Sequence, residues 1–206
     1  MLFEKLLVKD FGLNTFQVKQ FRQYYLFLKQ YNQKINLTSL TTEKDIYFKH
    51  FYDSLLVSKV LNLNQINNLF DLGTGAGFPG IPLKILYPNL KIFLIDSSSK
   101  KTVFLELLIN HLKLLDVFVF KEKIENHPNK YDCVITRALG KIELILKLAS
   151  LVVVEHGYFI VMKGPNYERE LQNIKKNYHF KLKQKFFFEL PEKLGKRVNL
   201  LFQKKI

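Results

Sequence analysis

Asp71 closes an apolar run, INNLFDL, and opens a loop that carries glycine at 73, 75, 77 and 80. Glycines there let the backbone turn sharply after a strand and let a ligand approach without meeting a β-carbon. Pro79 and Pro82 suit the first turn of a following helix, whose free N–H groups and dipole favour electron-rich ligand groups. Asp96 ends the next such run, KIFLID, and lies 19 residues after Gly77. That is close to the ~20 residues expected for an acid that accepts hydrogen bonds from two vicinal ribose hydroxyls. The pair points to a ligand containing a nucleoside.

Two readings of the loop compete. Residues 75–80 satisfy GxGxxG, the dinucleotide fingerprint of a nicotinamide-dependent reductase. An acid two residues before Gly-x-Gly-x-Gly is instead the arrangement at the end of the first strand in S-adenosylmethionine-dependent methyltransferases. Asp71 would then serve the positively charged amino acid end of the cofactor, whereas a pyrophosphate would be repelled by it. The plainer alternatives are an acid capping a strand-to-helix turn at Asp71, and an N-cap at Asp96 or a following serine for the helix beginning near Lys100.

The surrounding pattern says what must hold these acids. Residues 1–65 repeat apolar side chains at three- and four-residue spacing, which predicts helices. From residue 66 short β-type runs alternate with helical ones: NNLFDL and IPLKILY; KIFLID and KKTVFLELLINHLKL; VFVFK; YDCVITRA and IELILKLASLVV; GYFIVMKG and YERELQNIKKNY. Alternation of this kind predicts an α/β fold with parallel strands and crossover helices on both faces. KQKFFFEL and RVNLLFQKK, joined by a short PEKLGK turn, predict a C-terminal antiparallel hairpin. The expected division is a helical extension over 1–65 and an α/β domain over 66–206.

Composition limits the partners. The chain has 206 residues and a formal charge of +14, and residues 166–206, with eleven basic against four acidic side chains, supply half of that excess. A polyanion such as nucleic acid is the natural partner, with a merely solubilising surface as the alternative. No apolar run nears the ~20 residues needed to cross a bilayer, so no membrane association and a cytoplasmic location are expected. The single cysteine, Cys133, lies in an apolar run, so neither an internal disulfide nor a cysteine-based metal site is expected.

Several segments together carry a family resemblance: NLTSL at 36–40, KHFYDSL at 49–55, DLGTGAGFPGIPL at 71–83, IDSSSKK at 95–101, ITRAL at 135–139 and VMKG at 161–164. In these the chain resembles the bacterial ribosomal RNA small subunit methyltransferase G family, the 16S rRNA guanosine-N7 methyltransferases also called glucose-inhibited division protein B. The resemblance implies a Rossmann-like class I methyltransferase fold, S-adenosylmethionine as cofactor and 16S rRNA or the small ribosomal subunit as partner, with a monomer as the default. By position it implies that Gly73 and Phe78 line the cofactor, that Asp71 and Gly75 shape its pocket, that Asp96 holds the ribose and that Ile124 and Glu125 meet the adenine. Arg137, at the end of a strand, would grip the cofactor carboxylate or an RNA phosphate, unless it is spent on a salt bridge to Asp71 or Asp96. Substrate contacts are expected from Asn36, Thr38, His50, Lys100 and Lys163, and from Lys181, Lys183 and Lys185 in the tail. His50, Asp53 and Ser54 should share one helical face that closes over the cofactor or meets RNA. No acid or base catalyst is expected, because guanine N7 already exposes the lone pair that attacks. A methyltransferase acting on another RNA, and an RNA-binding module without activity, are the remaining alternatives.

Overall fold

The computed structural model describes residues 2–174 and 178–205. Among these, seven strands form one sheet in the order β3-β2-β1-β4-β5-β7-β6. Strands β1 (Asn68–Leu72), β2 (Lys91–Ile95), β3 (Val117–Phe120), β4 (Tyr131–Arg137) and β5 (Val153–Lys163) run parallel. Strands β6 (Phe180–Glu189) and β7 (Lys196–Lys204) form the antiparallel hairpin at the far edge. Chain order reverses between β1 and β4, the point at which open α/β sheets gather ligands outside the carboxyl ends of their strands.

Helices cover both faces because the apolar strand runs must be buried on both sides. Leu69, Leu94, Cys133, Ile135 and Ile160 pack on one face with Phe21, Tyr24, Leu28 and Phe51 from the N-terminal part. Phe70, Leu72, Ile95, Val134 and Phe159 pack on the other with Ile142 and Leu146. The N-terminal part comprises α1 (Leu2–Phe11), α2 (Thr15–Ile35), α3 (Glu43–Asp45), a π-helical segment Ile46–Tyr52, and α4 (Asp53–Leu55). The crossovers are α5 (Gly80–Leu86), α6 (Ser99–Leu112) and α7 (Ile142–Val152), followed by α8 (Tyr167–Gln172). The helix that the YERELQNIKKNY run predicts is shorter in the structure: α8 ends at Gln172, Asn173 and Ile174 follow in a turn, and residues 175–177 lie outside the described residues. Cys133 is fully buried and unpaired, and burial pushes its thiol well up. No helix of the described residues is long and apolar enough to cross a membrane.

Helix α2 bears directly on the glycine loop. Asn14 and Gln17 form a capping box at its start, and the Gln17 side-chain amide then donates to the Ile85 carbonyl at 2.7 Å. Further along the helix, buried Tyr24 donates its hydroxyl to the Ala76 carbonyl at 2.5 Å and stacks on Phe78 with ring centroids 5.3 Å apart. The N-terminal part thus grips the loop through a buried phenol. Burial raises that phenol's pKa well above the ordinary range, so it stays protonated and donating.

Candidate functional site

A cavity of about 480 Å³ lies outside the carboxyl ends of β1, β2 and β4, within the size range of cofactor pockets. Gly73, Asp96, Ile124 and Glu125 line it together with Lys101, Glu122, Ala138 and Leu139. Gly73 has φ +73, and a β-carbon there would come within 2.5 Å of the Leu139 side chain, so backbone and Leu139 close on each other at the cavity wall. Asp96 is held in place: its Oδ1 accepts from the Ser98 N–H at 2.9 Å, and its Oδ2 from the Gly75 N–H at 3.1 Å and Lys101 Nζ at 3.3 Å. Behind Glu122, the His127 ring nitrogens meet Glu122 Oε1 at 2.5 Å and the Tyr131 hydroxyl at 2.7 Å. Carboxylates, a lysine and the apolar Ile124 side chain around one cleft fit a nucleoside better than a free polyphosphate.

Asp71 and Phe78 sit elsewhere. Asp71 is fully buried beneath the loop, where its Oδ2 accepts from the Thr74 hydroxyl at 2.7 Å and from the Gly80 N–H at 2.8 Å. It therefore fastens strand β1 to the first turn of α5, the capping role, and its carboxylate is not on the cavity wall. Its Oδ1 has no hydrogen-bond partner among the described residues, and desolvation raises its pKa to about 6. Phe78 is only 4% exposed and stacks on His50 at 4.3 Å, so it underlies the site as a platform. Gly75 is likewise off the cavity wall and acts through its N–H on Asp96.

A second cavity, of about 440 Å³, adjoins the first across Ala138, which lines both. Ala138 adopts φ +58, a left-handed conformation that costs a non-glycine residue energy and persists where the surrounding structure imposes it. Thr38, His50, Asp53, Arg137, Lys163 and Arg197 are on this second wall. Arg137 makes no salt bridge to Asp71 or Asp96. Its Nη1 donates to the Lys49 carbonyl at 3.1 Å and faces Asp53 Oδ2 at 3.5 Å, its Nη2 donates to His50 Nδ1 at 2.9 Å, and its guanidinium lies 5.0 Å from the Phe78 ring centroid. Asp53 Oδ2 also faces Arg197 Nε at 3.3 Å.

His50 and Asp53 thus converge on Arg137, while Ser54 is fully buried and donates to the His50 carbonyl of its own helix at 2.6 Å. Because a guanidinium only donates, His50 Nδ1 must accept, which puts the imidazole proton on Nε2. Desolvation, followed by the Arg137 charge, pushes the His50 pKa down to about 3, so the ring is neutral. Lys163, on the second wall, donates from its amine to the Gly140 carbonyl at 2.5 Å and to Glu170 Oε2 at 2.8 Å, tying β5 to the loop after β4 and to α8. Asn36 ends α2 in the left-handed region and lines a third cavity that shares Thr38 with the second. Lys100 is exposed in the first turn of α6, and its neighbour Lys101 reaches Asp96.

Lys181, Lys183 and Lys185 are exposed along the edge strand, at different distances from the cavities. Lys185 is level with Leu72 through Leu200, Val161 and Thr136, whereas Lys181 is level with Leu69 at the opposite end of the sheet. Sequence reasoning passed over Lys101, Glu122, Ala138 and Arg197. Lys101 and Ala138 do lie in segments that carry the family resemblance, IDSSSKK and ITRAL, and Glu122 stands two residues before Ile124.

A family model described as rRNA small subunit methyltransferase G matches residues 17–200. A ribosomal RNA small subunit methyltransferase G of Aster yellows witches'-broom phytoplasma is 48% identical, covering 98% of this chain and 99% of that protein. The protein of the same name from Staphylococcus carnosus is 38% identical over 99% of this chain and 89% of its own length. Among solved structures, a SAM dependent methyltransferase from Aquifex aeolicus superposes with a TM-score of 0.61 at 17% identity, covering 82% of this chain and 96% of that one. The ribosomal protein L11 methylase from Lactobacillus delbrueckii subsp. bulgaricus gives 0.60 at 17% identity over 77% of this chain and 79% of that one. At such low identity the structural likeness speaks for the fold alone, which is the Rossmann-like class I methyltransferase fold.

Proposed function

The chain belongs to the rRNA small subunit methyltransferase G family, and we infer that it transfers a methyl group from S-adenosylmethionine to N7 of a guanosine in 16S small-subunit rRNA. The observation that carries this reading is the pair of cavities meeting at Ala138, one fitted to a nucleoside cofactor and the other lined by polar and cationic side chains. S-adenosylmethionine, when bound, supplies an electrophilic methyl on a sulfonium. Asp96 is the group suited to its ribose hydroxyls and Ile124 to its adenine, with Gly73 giving close backbone approach.

Asp71 contributes by holding the loop, and Phe78 by supporting His50 and Arg137 from below. The remaining task is positioning, since N7 needs no deprotonation before it attacks. His50 is unsuited to general-base work, being neutral but committed at Nδ1 to Arg137. In the second cavity Arg137 and Arg197 offer positive charge to the RNA backbone.

The experiment is transfer of labelled methyl from S-adenosylmethionine to small subunits taken from cells lacking the modification, with the product mapped by the chain cleavage that N7-methylguanosine permits. Label at a single guanosine is expected. Label on adenosine, on cytidine or on protein would replace this acceptor with another.

A further inference from the structure

We propose that the Thr38 hydroxyl is the hydrogen-bond donor that reads O6 of the target guanine, and so separates guanine from adenine in the second cavity. This rests on the guanine-N7 reading above and names the group that would recognise the base.

A hydroxyl has two acceptor sites and one hydrogen to give. Thr38 Oγ1 accepts from His50 Nε2–H at 2.8 Å and from the Leu40 N–H at 3.1 Å. Both acceptor sites are therefore filled, and the hydroxyl hydrogen has no acceptor among the described residues. The direction of the first bond is fixed from further back: Asp53 faces Arg137, Arg137 donates to His50 Nδ1, and His50 can then only donate through Nε2. Asp53, Arg137, His50 and Thr38 all line the same cavity. The relay leaves a single polarity at its open end, a donor.

The backbone keeps that donor in position. The Thr38 N–H donates to Asn32 Oδ1 at 2.8 Å and its carbonyl accepts from Asn32 Nδ2 at 2.9 Å, so one side chain of α2 clamps both sides of the residue. A prepositioned donor of this kind discriminates between purines on their exposed edge. Guanine presents the O6 acceptor beside N7, whereas adenine presents an N6 amino group, a donor, at the same place. Two donors facing each other leave both unsatisfied. Donation to N7 is excluded because it would occupy the lone pair that must attack the methyl group.

The test compares wild type, Thr38→Val and Thr38→Ser on reconstituted small subunits whose target position carries either guanosine or 2-aminopurine, which keeps N7 and lacks O6. On guanosine, Thr38→Val should lower kcat/KM about tenfold, the scale of one neutral hydrogen bond, and Thr38→Ser should restore most of it, with cofactor affinity unchanged in both. The Thr38→Val loss should be clearly smaller on 2-aminopurine than on guanosine, because the acceptor for His50 Nε2–H and the Leu40 N–H is lost on either base while the bond to O6 is lost on guanosine alone. The same loss on both bases would mean that the valine only disturbs the 36–41 loop, and would overturn the proposal. So would no loss on guanosine. A wild type that labels no guanosine would instead remove the reading beneath it, a result visible before any variant is made.

Discussion

The polar side chains at this site are fixed by one another more than by solvent, and their protonation follows from that. Neutral His50 accepts from Arg137, and its pKa of about 3 lies below the ordinary 6.5. In the unfolded chain the imidazole takes a proton near 6.5; in the folded protein it refuses one until about 3. Its contribution to stability is therefore complete above 6.5 and lost as the pH falls toward 3, at up to about 1.4 kcal/mol per pH unit. Asp71 acts in the opposite sense: raised to about 6 from 3.8, it favours the fold below 3.8, and that advantage disappears as the pH rises to about 6. His50→Phe, which keeps a ring against Phe78 but no titrating nitrogen, should be less stable at about pH 7.5 and lose less stability between about pH 6.5 and 5 than wild type in urea titrations. An equally steep variant would assign the acid sensitivity to other groups. At Asp71 the two hydrogen bonds to one oxygen predict that Asp71→Asn keeps the loop, whereas Asp71→Ala leaves the buried Gly80 N–H and Thr74 hydroxyl without their acceptor. A cost of about 1–3 kcal/mol and weaker cofactor binding should follow for the alanine alone, measured by denaturation and calorimetry.

Among the elements, those with a local cause were legible. Five strands read as short apolar runs because both faces of a parallel sheet are buried, and the hairpin read as two runs too close together for a crossover helix. What was not legible depends on contacts distant in sequence. Arg137 meets Lys49, His50 and Asp53, from 84 to 88 residues away, and no local spacing announces such partners. The segment that presents His50 is π-helical over Ile46–Tyr52, a wider turn than the three- and four-residue spacing implies, and Ser54 turns into its own helix. Asp71 was legible as a key position but not in its direction: strand and glycine loop mark the place, while Gly80 and Thr74 decide where the carboxylate points. The edge strand offers a further case. Phe187 on β6 is 67% exposed, level with Lys163 at the site end of the sheet, and lies edge-on to Tyr167 at 6.1 Å. An exposed aromatic beside basic groups is suited to stacking on an unpaired base, worth about 1–3 kcal/mol. Phe187→Ala should weaken RNA binding by about five- to a hundredfold while leaving stability and cofactor affinity unchanged. Unchanged RNA affinity in a filter-binding assay would leave Phe187 a lone surface aromatic.

Over the whole molecule the positive charge is distributed by topology as well as by composition. Residues 166–206 hold half of the +14 excess, but β6 and β7 run in opposite directions, so Lys185 and Lys196 share one end of the hairpin while Lys181 and Lys204 share the other. Lys181 is level with Leu69 and Lys185 with Leu72, roughly 10 Å apart along the strand. Lys196 pairs with Glu189 beyond Val198, which is level with Lys163, and so stands at the end where the cavities open. An RNA that delivers one base into the second cavity must pass this end first. Each RNA phosphate that a lysine ceases to neutralise takes about 0.7–0.9 from the slope of log affinity against log salt. Charge reversal at Lys185 and Lys196 should therefore flatten that slope by the share of about two phosphates, whereas reversal at Lys181 and Lys183 should change it less. Equal changes would mean that the RNA follows the whole edge strand from one end of the sheet to the other. No change from either pair would make the tail a solvated face and leave Arg137 and Arg197 to hold the backbone.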